Sequence, residues 1–121
     1  MTKTQNSKRY DLEERTEAFA REVRSFVKKL PKTISNIEDI KQLVRASGSV
    51  GANYIEANEA LSKKDFIVRL KICRKEAKES RYWLRLIDTN EDNRLKEELV
   101  VLQNEATELM NIFGAIVRKA T

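Results

Sequence analysis

Histidine is absent from this chain. That removes every His-based triad, general base and zinc ligand set. The single cysteine, Cys73, cannot close an internal disulfide, which fits a reducing cytosol. Only 3 glycines and 1 proline are present, too little turn material for a sheet protein, so a few long helices are expected. No apolar run reaches the roughly 18 residues that span a membrane, and the polar start Met1–Lys8 lacks the apolar core of a signal peptide. The expectation is a cytoplasmic chain with no membrane partner and no cofactor. A length of 121 residues suits one domain with one core.

Charge, by contrast, is abundant. There are 24 Lys and Arg against 19 Asp and Glu, a net charge of +5. It is unevenly placed. Residues 62–90 carry 9 basic and 4 acidic groups, so this one segment holds a net +5 by itself.

The apolar spacing predicts four helices, near 11–30, 36–60, 62–88 and 91–118. Residues 1–9 are expected to be disordered, with a single domain over 10–121. In the first helix, Asp11 and Glu14 form a capping box. Leu12, Phe19, Val23, Phe26 and Leu30 then keep heptad spacing, with Thr16 in the missing position. Pro31 ends it. Ser35 with Glu38, or Asn36 with Asp39, caps the second. Its stretch Ala46–Ala52 has poor helix propensity. It reads either as a flexible loop or as a helix whose small residues admit a close neighbour. The unbroken apolar period favours the helix. Ser62 and Asp65 cap the third. Thr89 or Asn90 caps the fourth, where Leu95, Leu99, Leu102, Ala106, Leu109, Phe113 and Ile116 form a 4-3 stripe. Four amphipathic helices with short loops make an all-α, up-down-up-down antiparallel bundle.

The third helix carries more than a core stripe. Phe66, Leu70, Cys73, Ala77, Ser80, Leu84 and Ile87 form one seam, on which Cys73 serves as a small hydrophobe. Val68, Ile72, Trp83 and Leu86 form a second. That seam either widens the core around Trp83 or makes a contact between copies of the chain. Lys71, Arg74, Lys75, Lys78, Arg81 and Arg85 fill most of the remaining arc. This stripe is either a solvated face, paired with acids such as Glu105 and Glu108, or a surface for RNA or DNA. No base-reading motif accompanies it, so binding would follow phosphates rather than sequence. Asn53, Glu56, Arg69 and Glu76 either face water or form a buried polar layer. In a buried layer, removing one member of a charge pair would cost about 3–5 kcal/mol, so Glu76→Gln would destabilise. As a carboxylate pair, Glu56 and Glu76 lack the histidines that a di-iron bundle requires.

Three stretches carry a family resemblance. They are Gln42–Asn58 (QLVRASGSVGANYIEAN) with Ser62-Lys63-Lys64-Asp65-Phe66, Ile72–Leu84 (ICRKEAKESRYWL), and Tyr10–Arg15 (YDLEER). Together they resemble the bacterial four-helix bundle proteins, also called 23S rRNA intervening-sequence proteins, over about residues 10–117. Asn58-Glu59-Ala60 stands where many members have glycine. The resemblance implies a left-handed antiparallel bundle, assembly as a homopentamer, and no established enzymatic activity. Some members are encoded within insertions in 23S ribosomal RNA genes. The accessory protein of diversity-generating retroelements, basic and associated with nucleic acid, is similar in fold and assembly. The family's polar positions fall on Asn53, Glu56 and Glu76, without a catalytic role. Two function classes remain, a nucleic-acid-associated oligomeric module and a protein–protein interaction scaffold. No catalytic site is expected.

Overall fold

The computed structural model describes residues 3–121, and side chains from Leu12 onward. The segment 1–9, expected to be disordered, lies outside the described side chains. The described chain forms four helices: α1 (Lys3–Val27), α2 (Ile34–Asn58), α3 (Lys63–Leu86) and α4 (Asn93–Ala120). Each helix packs on its neighbours around a closed ring, α1 on α2, α2 on α3, α3 on α4 and α4 on α1. Short connections make successive helices antiparallel, so the architecture is a four-helix bundle. Among the described residues, no helix is long and apolar enough to cross a membrane.

The core follows the heptad stripes. Phe19, Val23 and Phe26 of α1, Leu43 and Val50 of α2, Leu70 and Leu84 of α3, and Leu109 and Phe113 of α4 are almost wholly excluded from solvent. Each such side chain contributes about 1.5–3 kcal/mol of burial. The first seam of α3 lies in this core, with Cys73, Ala77 and Ser80 fully buried.

The glycine-containing segment of α2 is helical throughout, and packing explains its small residues. A methyl group placed on Gly51 would lie 2.8 Å from the hydroxyl oxygen of Thr16. Thr16 is itself fully buried, its hydroxyl donating to the Leu12 carbonyl at 2.7 Å. The gap in the α1 stripe and the glycine in α2 are therefore one close helix–helix approach.

Helix ends differ from the sequence expectation in three places. Asp11 does not start α1, which runs from Lys3 through it; no Gly or Pro in that stretch would stop a helix. Thr33, not Ser35 or Asn36, caps α2 by accepting from the Asn36 amide at 3.2 Å. Asp92, not Thr89 or Asn90, caps α4 by accepting from the Leu95 amide. Asn90 and Glu91 instead form the preceding turn, with φ of 56° and 62°. Ser62 caps α3 as expected, accepting from Asp65. The turn before it contains no left-handed residue.

Released from capping, the Asn36 side chain joins two loops. Its amide donates to the carbonyls of Pro31 at 3.0 Å and Asp88 at 2.9 Å, and its oxygen accepts from the Asp88 amide at 3.0 Å. Asn36 is fully buried, so these bonds satisfy groups that would otherwise be costly.

Candidate functional site

Positions 71, 74, 75, 78 and 81 recur at three- and four-residue steps, which places them on one face of α3. That face borders α4. Lys71, Arg74, Lys75, Lys78 and Arg81 line a groove of about 490 Å³ together with Arg118 of α4. Met110, Asn111 and Gly114 complete its wall, and no lining residue is acidic. The structure therefore brings together five of the six basic residues singled out in the sequence. The sixth, Arg85, is exposed one turn further along α3 and does not line the groove. Arg81 is fixed by donating to the Thr107 hydroxyl at 3.2 Å.

Arg118 was not legible as part of this set. It sits in the last turn of α4, where a cation is expected merely to complement the helix dipole. The only cue was its four-residue distance from Gly114, a gap on the same helix face.

The acids expected to neutralise the stripe are engaged elsewhere. Arg15 of α1 donates to Glu105 at 2.7 and 2.9 Å and to Glu108 at 2.6 Å. These bonds, chiefly that to Glu105, hold the Arg15 guanidinium even more firmly protonated than usual. Glu105 and Glu108 thus tie α4 to α1, on the edge of α4 away from the groove. Among the described residues, none of the six groove cations forms an ion pair. Six like charges in one groove repel one another, so the arrangement favours a bound polyanion.

The outward side of α2 and α3 holds the remaining candidates. Arg69 donates to the Asn53 side-chain oxygen at 2.9 Å, and the Asn53 amide donates to the Ser49 carbonyl at 2.9 Å. Glu56 is exposed and Glu76 half-buried, and neither bonds to this pair. Burial pushes the Glu76 carboxyl up from its ordinary pKa, with the negative charge of Glu79 adding to the effect and Lys75 opposing it. Val68 and Leu86 are 47% and 46% exposed, while Ile72 and Trp83 are half-buried. Trp83 stands edge-on to Tyr82, centroids 5.0 Å apart. Ile72 and Trp83 are eleven residues apart, so the apolar seam divides into two patches about 16 Å apart along α3.

Burial pushes the Cys73 thiol up to about 12, so it is protonated and unreactive at neutral pH. Among the described residues, no three acids or thiols are grouped to hold a metal ion.

The fold has known counterparts. The model of the 23S rRNA-intervening sequence proteins matches residues 8–115. A crystal structure of a protein of unknown function from the S23 ribosomal protein family of Bacteroides thetaiotaomicron is similar, with 32% identity and a TM-score of 0.73. The match covers 87% of this chain and 96% of that one. No curated protein matches.

Proposed function

Because this chain belongs to the 23S rRNA-intervening sequence protein family, we propose that it is a non-enzymatic, cytoplasmic helical-bundle protein that associates with nucleic acid through the α3–α4 groove. The observation that carries this reading is the convergence of six cations from two helices with no acid among the lining residues. A solvated charged face would intersperse acids or pair its cations within the chain, as Arg15 and Lys29 do with Glu105 and Glu98 on the α1 side. Contacts would be to phosphates, which gives sequence-tolerant, salt-sensitive binding.

The chain acts in this proposal as a homo-oligomer, a pentamer as its family resemblance implies. Val68, Ile72, Trp83 and Leu86 would form the contact between copies, with Asn53 and Arg69 as a preformed polar pair beside it. Repetition of the groove around a ring would link weak sites and raise avidity. A second reading rests on the same outward face: the exposed Val68 and Leu86 suit a protein–protein scaffold with no nucleic-acid role.

Gel retardation of single-stranded RNA and duplex DNA at about 50 mM salt separates the two. Retention by the wild type, weakened for every sequence alike by Lys71→Glu with Lys78→Glu, supports the first. No retention by the wild type leaves the scaffold.

A further inference from the structure

We propose that Arg74 and Arg118, held over the bare backbone of Gly114, form a discrete seat for one phosphate group. The inference rests on the nucleic-acid reading for its natural occupant, a backbone phosphate, and on the geometry of Gly114 for its place in the groove.

Gly114 lies in the interior of α4, where glycine is disfavoured relative to alanine because it leaves more backbone freedom to be lost on folding. Packing does not demand it. A methyl group at Gly114 would lie 3.4 Å from Nη1 of Arg118, 3.5 Å from Cδ of Arg74 and 3.8 Å from Nη1 of Arg74. These are ordinary contacts with flexible side chains. Gly51 differs, since there the methyl would strike a buried threonine at 2.8 Å.

What glycine leaves at position 114 is depth. A guanidinium nitrogen of each arginine lies within 4 Å of the point that a methyl would fill, and Gly114 is buried beneath the two side chains. Two cations from facing helices therefore converge on one small space in a groove without acids. A tetrahedral anion can accept from both guanidinium groups at once, the bidentate kind of recognition at which arginine excels. Lys71, Lys75 and Lys78 around the seat act as point charges that guide the rest of the strand.

Two measurements test the seat, on the full chain as wild type, Gly114→Ala, Arg118→Ala and the control Arg94→Ala on the α1 side of α4. The first titrates inorganic phosphate while following the arginine side-chain N–H signals by NMR. The signals of Arg74 and Arg118 should move together in the wild type and stay still in Gly114→Ala. The second measures affinity for a short labelled single-stranded RNA. Gly114→Ala should melt at or above the wild-type temperature yet bind RNA at least about tenfold more weakly, since the seated phosphate loses its charge-assisted hydrogen bonds to both arginines. Arg118→Ala should also lower the salt slope by about 0.7. Unmoved Arg74 and Arg118 signals overturn the seat whatever the RNA does. Where the wild type binds RNA, so does RNA binding by Gly114→Ala and Arg118→Ala equal to that of Arg94→Ala. Failure of the wild type to bind RNA overturns the nucleic-acid reading alone; phosphate moving both signals in that case still supports the seat.

Discussion

Glu76 shows how burial without a partner differs from burial within a pair. It is half-buried on α3 and bonded to neither Asn53 nor Arg69. Burial raises its folded-state pKa, so the folded chain holds this proton to a higher pH than the unfolded chain does. The charged form therefore costs stability above the folded-state pKa, and the cost vanishes as pH falls below the unfolded value. Glu76→Gln should accordingly melt at or above the wild-type temperature at pH 7, and the two should converge near pH 4. This reverses the destabilisation expected from the sequence, which assumed a paired carboxylate. Thermal melts at both pH values check it. A lower melting temperature for the variant at pH 7 contradicts it and would place a cation from another chain on the carboxylate. Residue type and period place Glu76 between the two apolar seams of α3. They could not tell whether a cation across the α2–α3 contact reaches it, because that depends on rotamers of both helices.

At the scale of the helix, the α1–α2 contact at Thr16 and Gly51 sets how closely two elements approach. Gly51→Ala gains about 1 kcal/mol of helix propensity. It also forces a methyl to 2.8 Å from the Thr16 hydroxyl and 3.2 Å from its Cβ, an overpacking worth about 1–3 kcal/mol. The clash wins, so the variant should lose about 1 kcal/mol. Combining it with Thr16→Ala should recover part of that, with a coupling of at least about 0.5 kcal/mol in a double-mutant cycle. Strictly additive losses in denaturant unfolding would contradict the account. Heptad stripes made the four helices and most of their buried faces legible, including the continuity of α2. The caps were less so. Thr33, Ser35 and Asn36 are all competent N-caps, and what removes Asn36 from the choice is the distant Asp88 backbone that claims its side chain. Arg118 was hidden for a similar reason: its grouping with Arg74 arises across two helices, not along one.

For the whole molecule, the basic groove and the patch at Val68 and Ile72 lie on different sides of α3. The α3–α4 groove is basic, while the outward α2–α3 side exposes Val68 and Leu86. Oligomer formation through the latter leaves the former open. Light scattering should therefore give a mass several times the 14.1 kDa of one chain. Leu86→Arg should shift it toward the monomer with little loss of subunit stability, since Leu86 is already 46% exposed. A wild-type monomer at micromolar concentration contradicts the assembly.

The groove itself is tested most directly by the affinity for single-stranded RNA across a salt series, wild type against Lys71→Glu with Lys78→Glu. If the groove neutralises phosphates, log affinity falls linearly with log salt, by about 0.7 for each phosphate neutralised. The double variant should then show a slope shallower by at least about 1.4, since two phosphates are no longer neutralised, and weaker binding to every sequence. Equal slopes for the two proteins, or a wild-type affinity that does not change with salt, would contradict the claim that these cations are the working surface.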